Sequence, residues 1–222
     1  MNRAELKSMA KGQIKGKIGI LFVISLIIGV LSALASLVLS FIPFVGSLAA
    51  TIIVTPAFSL SLVRVYMNLT AGGAPEVKDA FSGFDDFWAA FKVSFLAGLF
   101  TFLWSLLFVI PGIVKSISYS MSMYILAENK GKSALECINE SKAMTNGHKM
   151  DLFVLGLSFI GWELVGYITC GIAYIWILPY IQATFVNAYH SLKPVVVYDA
   201  PAAAPVEAVE QPVETAEADT QE

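Results

Sequence analysis

Few residues in this chain are of a type and spacing that could do chemistry. Foremost is Glu163, a single carboxylate inside the apolar run 152–170. An ionisable group inside such a run is costly to hold and calls for a partner. Counted from Asp151 at about 1.5 Å per helical residue, Glu163 lies about 18 Å into the run. Lys115, counted from Glu128, comes to about 20 Å by the same rise, and Gln182, counted from Leu192, to about 15 Å. These depths predict an intramembrane polar pair of Glu163 with Lys115, supported by Gln182 or Tyr167. Such a carboxylate either couples a proton or cation to transport, or ties two hairpins together. Removing one partner of a buried pair costs about 3–5 kcal/mol.

The rest of the search is negative. There is no phosphate-binding glycine loop and no H-E-x-x-H. His148 and His190 fall near the ends of apolar runs, so neither supplies an intramembrane base. Metal sites need three or four converging ligands, and none is legible. Cys137 and Cys170 stand at opposite ends of one helical segment, whereas a disulfide needs Cα atoms within about 7 Å. Gly156, Gly161, Gly166 and Gly171 recur every five residues, a spacing that winds around a helix and reads as packing clearance. No catalytic residue, cofactor, metal or nucleic-acid partner is implied, and the chain reads as non-enzymatic.

The elements that would position Glu163 are unusually apolar. Hydrophobic residues make up 57% of the chain and charged ones 14%, with a mean hydropathy of +0.72; soluble domains carry about 25% charged residues. A helix crosses a bilayer with about 20 apolar residues. The sequence predicts an all-α, polytopic membrane helix bundle. Six transmembrane helices cover about 18–41, 44–65, 92–110, 113–127, 152–170 and 172–190, paired as three hairpins. Each hairpin is preceded by an amphipathic surface helix, about 2–17, 75–90 and 133–145. Ala33-Leu34-Ala35 imitates a signal-peptidase site, but the apolar run continues to Phe41, beyond a signal core of about 7–15 residues, so the first crossing is expected to be retained.

In the first surface helix Arg3, Lys7, Lys11 and Lys15 form a basic stripe beside Leu6, Ala10, Ile14 and Ile18. That pattern suits an interfacial helix against anionic lipid, and equally an orienting flank. In the second, Phe81, Phe84, Trp88 and Phe91 recur at helical spacing as an interfacial aromatic face. In the third, Ser133 and Glu136 stand at capping-box spacing. Between the hairpin members, Pro43 with Gly46, Pro111 with Gly112, and Gly171 mark the turns. An internal echo runs through the chain: Pro56, Val63, Tyr66 and Leu69 match Pro179, Val186, Tyr189 and Leu192 in spacing.

Of the 14 Lys and Arg, a topology with both termini inside leaves only Lys115 off the cytoplasmic side, as the positive-inside rule requires. The net charge of −3 conceals a basic body and an acidic tail. The tail, 194–222, is rich in Ala, Pro, Val, Glu and Thr, has no Arg or Lys, and is expected to be disordered.

Several short motifs carry a resemblance: Ile110-Pro111-Gly112-Ile113, Ser118-Tyr119-Ser120-Met121, Ser141-Lys142-Ala143-Met144, Gly147-His148-Lys149 and Phe159-Ile160-Gly161-Trp162, with Pro179-Tyr180. On these the chain resembles the bacterial integral-membrane family of unknown function numbered nine-seven-five, over about residues 1–192. The resemblance implies a bacterial cytoplasmic-membrane protein with no assigned catalytic residues. The basic and aromatic surface helices give the expected function, a non-enzymatic membrane scaffold or accessory factor. It would engage anionic lipids, or membrane and cytoplasmic protein partners, through the surface helices and tail. The alternative is a small transporter or channel subunit that uses Glu163.

Overall fold

Long apolar runs can pair their backbone away from water only by forming helices, and this chain is helical throughout its described length. The computed structural model describes residues 2–40 and 46–193; the expected turn at Pro43 and the acidic tail lie outside them. Along the chain come α1 (Arg3–Ile14), α2 (Ile18–Ser40), α3 (Gly46–Thr70), a 3-10 turn (Val77–Phe81), α4 (Phe87–Leu107), α5 (Val109–Tyr119) and α6 (Ser122–Glu128). Then follow α7 (Ala134–Thr145), α8 (Lys149–Leu157), α9 (Ile160–Ile168) and α10 (Tyr174–Leu192). There is no strand among the described residues.

Among the described residues, four helical spans are long and apolar enough to cross a membrane: Ile18–Val38, Phe87–Leu107, Val109–Glu128 and Lys149–Ile168. Between 11% and 39% of each window is buried within the protein, so their apolar side chains largely face outward. Two of the other helices, α3 and α10, form the centre. The first packs against α1, α2, α4, α6 and the 3-10 turn, the second against α1, α2 and α9, and the two pack on each other. The polar residues that lower the hydropathy of α10, such as Thr184 and Asn187, are buried among protein rather than set against lipid.

The echoed residues supply this centre. Tyr66 and Tyr189, Val63 and Val186, and Leu69 and Leu192 are all buried, and both helices carry their proline internally. A shared spacing thus becomes two helices that contribute equivalent side chains to one core.

Three expected boundaries move. The aromatic row does not lie on a helix over 75–90: a 3-10 turn and a bend intervene, and α4 starts only at Phe87. The cause is Gly83, whose amide donates to Ser61 Oγ at 2.9 Å. A Cβ there would sit 2.0 Å from the Ala57 carbonyl oxygen, so the backbone comes too close to α3 to continue as a helix. Secondly, the α4–α5 turn lies at Phe108, which is extended, and not at Pro111-Gly112. Pro111 sits within the first turn of α5, where its missing N–H costs nothing. Gly112 lets α5 approach α4, since a Cβ would meet Ser105 at 2.1–2.9 Å.

Thirdly, two spans are interrupted. Between α5 and α6 the chain bends at Ser120 and Met121, and α7 repairs the gap. Ser141 Oγ donates to the Ser118 carbonyl at 2.7 Å and accepts from the Met121 amide at 3.2 Å. Between α8 and α9 the break at Ser158 and Phe159 is closed by local backbone bonds to Val154 and Gly156, both 3.0 Å.

Candidate functional sites

The structure does not bring the predicted polar triad together. Glu163, half-buried on α9, accepts a hydrogen bond from the Tyr174 hydroxyl of α10 at 2.9 Å. Gly166 makes room for that arrangement, because a Cβ there would lie 2.6 Å from the Tyr174 ring. Lys115 on α5 instead stacks its ammonium over the Trp104 ring of α4, 4.6 Å from the centroid. Equal depth did not produce contact because α5 packs on α4, α7 and α8, whereas α9 packs on α10. Gln182 lies half-buried on α10 and bonds to neither. Tyr167 sets its ring edge-on to Tyr174 at 6.2 Å, so the Glu163 environment is phenolic rather than cationic.

The basic stripe is divided by its surroundings. Asn2 caps α1 by accepting from the Glu5 amide at 3.4 Å. Leu6, Ala10 and Ile14 bury the i+4 row against α10 and α3. Gln13 and Asn187 lock this contact through reciprocal amide bonds of 3.2 and 2.8 Å. After the left-handed Gly16 turn (φ 80°), Lys17 donates to the Gly73 carbonyl at 2.6 Å. Arg3, Lys11 and Lys15 are exposed and Lys7 is half-buried. Lys7 and Lys11 are not free arms: Lys7 Nζ stands 4.4 Å over the Phe159 ring and Lys11 Nζ 5.6 Å over the Tyr180 ring. Burial, with the neighbouring Lys11 charge second, pushes the Lys7 ammonium below its ordinary range. Among the described residues neither lysine is paired with a carboxylate.

The aromatic row is divided at the bend into two groups of touching rings. Phe84 packs edge-on against Phe58 of α3 at 5.1 Å, and Trp88 against Phe91 at 5.9 Å. Phe91 in turn stacks on Phe95 at 5.8 Å. Phe81, Phe84 and Trp88 remain exposed, as a girdle between apolar and wet surroundings would be. The turn below it is held by Arg64, which donates to the Ser82 carbonyl and pairs with Asp86. Glu128 is similarly occupied, accepting from the Tyr189 hydroxyl at 2.6 Å and from Lys193.

Several of these groupings have no local signal in the sequence. Lys7 and Phe159, and Glu128 and Tyr189, meet only through the packing of distant helices. Cys137 is buried and Cys170 exposed, both as free thiols. Among the described residues no three His, Cys, Asp or Glu converge on a metal position.

An all-helical bundle with four spans fit to cross a membrane, a capped basic helix and an aromatic girdle defines the class: a helical membrane protein. The chain belongs to the DUF975 family, described as a protein of unknown function, whose model matches residues 1–118 and 106–195. No curated protein and no solved structure matches it.

Proposed function

We propose that this is a non-enzymatic scaffold or accessory protein of a bacterial cytoplasmic membrane, with six crossings and both termini inside. Its working surface is the cytoplasmic face built on α1, the 3-10 turn and α7, and it engages lipid or partner proteins there. The observation that carries this reading is the docking of α1. Buried Leu6, Ala10 and Ile14, with the Gln13–Asn187 amide pair, hold the helix in place while its cations have no carboxylate partner among the described residues. A helix needed only to orient the chain would not require such a fixed seat. The exposed aromatic rings of the 3-10 turn and α4 extend the same surface.

The test is crosslinking in native membranes followed by copurification. The full chain is compared with a Phe81→Ala/Trp88→Ala variant, whose two rings are exposed and so dispensable for folding. Defined protein crosslinks that disappear in the variant support the scaffold reading. Their absence from the full chain contradicts it.

A second reading, a small transporter or channel subunit, is favoured by one observation. Glu163 carries a phenol partner rather than a fixed cation, which leaves its charge uncompensated. Cation or proton flux into vesicles holding the full chain, lost in Glu163→Gln at unchanged abundance, would support it. No flux in the full chain would remove it.

A further inference from the structure

Phe159 and Tyr180 are buried, 3% and 8% exposed, and their rings meet edge-on at 5.4 Å. Trp162 joins them, 6.3 Å from Tyr180. Lys7 and Lys11 reach over this aromatic cluster from α1. The polar groups carried by this cluster are rich in donors: two ammonium groups, the Trp162 indole N–H and the Tyr180 hydroxyl, which can also accept. Among the described residues none of the four is hydrogen-bonded to a protein acceptor. The one acidic residue of α1, Glu5, lines a separate cavity with Thr70 and His190. Two cations set against aromatic faces, with no carboxylate paired to either among the described residues, are an arrangement that an incoming anion completes.

The surface beside the cluster says what kind of anion. Along α9 and α10, Ile160, Trp162, Leu164 and Leu178 are all exposed and apolar. A small free anion has no use for them, whereas an amphiphile places its charge on the lysines and its chain along that surface.

We infer that Lys7, Lys11, Trp162 and Tyr180 form a binding site for the phosphate of an anionic phospholipid, its acyl chain lying along α9 and the start of α10. The inference rests on the membrane reading above and gives the cytoplasmic face a specific ligand class. Lys7 and Lys11 hold the phosphate between them. Phe159 and Tyr180 keep the two ammonium groups from spreading apart, and the indole and phenol supply directional hydrogen bonds. Arg3 and Lys15, exposed on the same helix, contribute only to the general field.

The test is titration of the full chain, delipidated in detergent, with phosphatidylglycerol, phosphatidylcholine and inorganic phosphate, read by native mass spectrometry. Phosphatidylglycerol should bind about thirtyfold more tightly than phosphatidylcholine, the change expected from two cations acting on an anionic headgroup. Lys7→Gln/Lys11→Gln should abolish that preference, while Arg3→Gln/Lys15→Gln, with the same loss of charge, should keep it within about twofold. Equal losses in the two variants would reduce the site to a diffuse field and overturn the inference. So would displacement of the lipid by inorganic phosphate, which would identify a soluble anion. Where the glutamine pair does not fold, Trp162→Phe/Tyr180→Phe serves instead. It retains the rings and deletes both neutral donors, and should weaken binding about tenfold; unchanged affinity overturns the site. Protein crosslinking decides the scaffold reading separately. Lipid preference without partners leaves the site standing and removes the scaffold, and partners without lipid preference do the reverse.

Discussion

At the scale of single residues, burial decides which ion pairs matter. Arg64 and Asp86 are 12% and 26% exposed, and Arg64 also holds the Ser82 carbonyl. Lys78 and Glu76 also form a pair, at 2.8 Å, but are 76% and 60% exposed. Surface pairs contribute about 0–1 kcal/mol, whereas stranding a largely buried cation costs about 3 kcal/mol. Asp86→Ala should therefore lower the thermal midpoint of the detergent-solubilised protein clearly, and Glu76→Ala should leave it nearly unchanged. Comparable shifts in the two would show that the 3-10 turn is not anchored through Arg64. The residue scale is also where sequence reading was weakest. Glu163 and Lys115 could be placed at similar depth by counting, but depth is one coordinate and contact needs three. Which helices neighbour one another was not legible, so the phenol of Tyr174, eleven residues further along the chain, went unassigned as the partner.

At the scale of elements, two joints carry the bundle. Ser141 of α7 holds the α5–α6 bend from both sides. Ser141→Ala leaves the buried Met121 amide unpaired and should cost about 1–3 kcal/mol. Ser158→Ala, whose hydroxyl bonds only to its own helix at Leu155, should cost far less; parallel melting curves check the order. At the α4–α5 hairpin, Gly112→Ala drives a Cβ into Ser105, including its backbone, while a Cβ at Gly98 meets nothing within 4 Å. Gly112→Ala should reduce folded yield, and Gly98→Ala should match the parent protein. Equal yields would mean the hairpin is loosely packed.

The cap of α7 gives a pH dependence with a definite sign. The Ser133 amide, with the Ser133 hydroxyl second, holds the Glu136 carboxyl below the usual carboxylate range. A depressed folded value stabilises the helix start above the ordinary carboxylate pKa, and that contribution fades as pH falls through the lowered one. Hydrogen exchange at the first-turn amides of α7 should therefore quicken on acidification, and Glu136→Gln should flatten the response. Serine-to-glutamate spacing made this cap legible from sequence, because a capping box is local. The aromatic row misled for the converse reason: spacing at 81, 84, 88 and 91 satisfies a helix, but the close approach of Gly83 to α3 is a tertiary fact.

At the scale of the whole molecule, the echo of Pro56 and Tyr66 in Pro179 and Tyr189 was the most informative long-range signal. It falls on α3 and α10, which pack on each other and on α1 and α2. Thr184 and Asn187 lower the hydropathy of α10 and are buried among protein, where a helix can carry polar side chains that a lipid-facing one cannot. Composition thus identifies the class of protein; the echo reads from sequence only as a repeated plan, and it is packing that puts its residues at the centre. The central claim is a sidedness: α1, α7 and both termini on the cytoplasmic side, with the α9–α10 turn on the other. Cys170 lies exposed in that turn and Cys137 buried on α7, so the native thiols test it without substitution. In intact spheroplasts a membrane-impermeant maleimide should label Cys170 and leave Cys137 unmodified until the protein is permeabilised and unfolded. Labelling of Cys170 only from the cytoplasmic side would contradict the topology and the proposed working face with it.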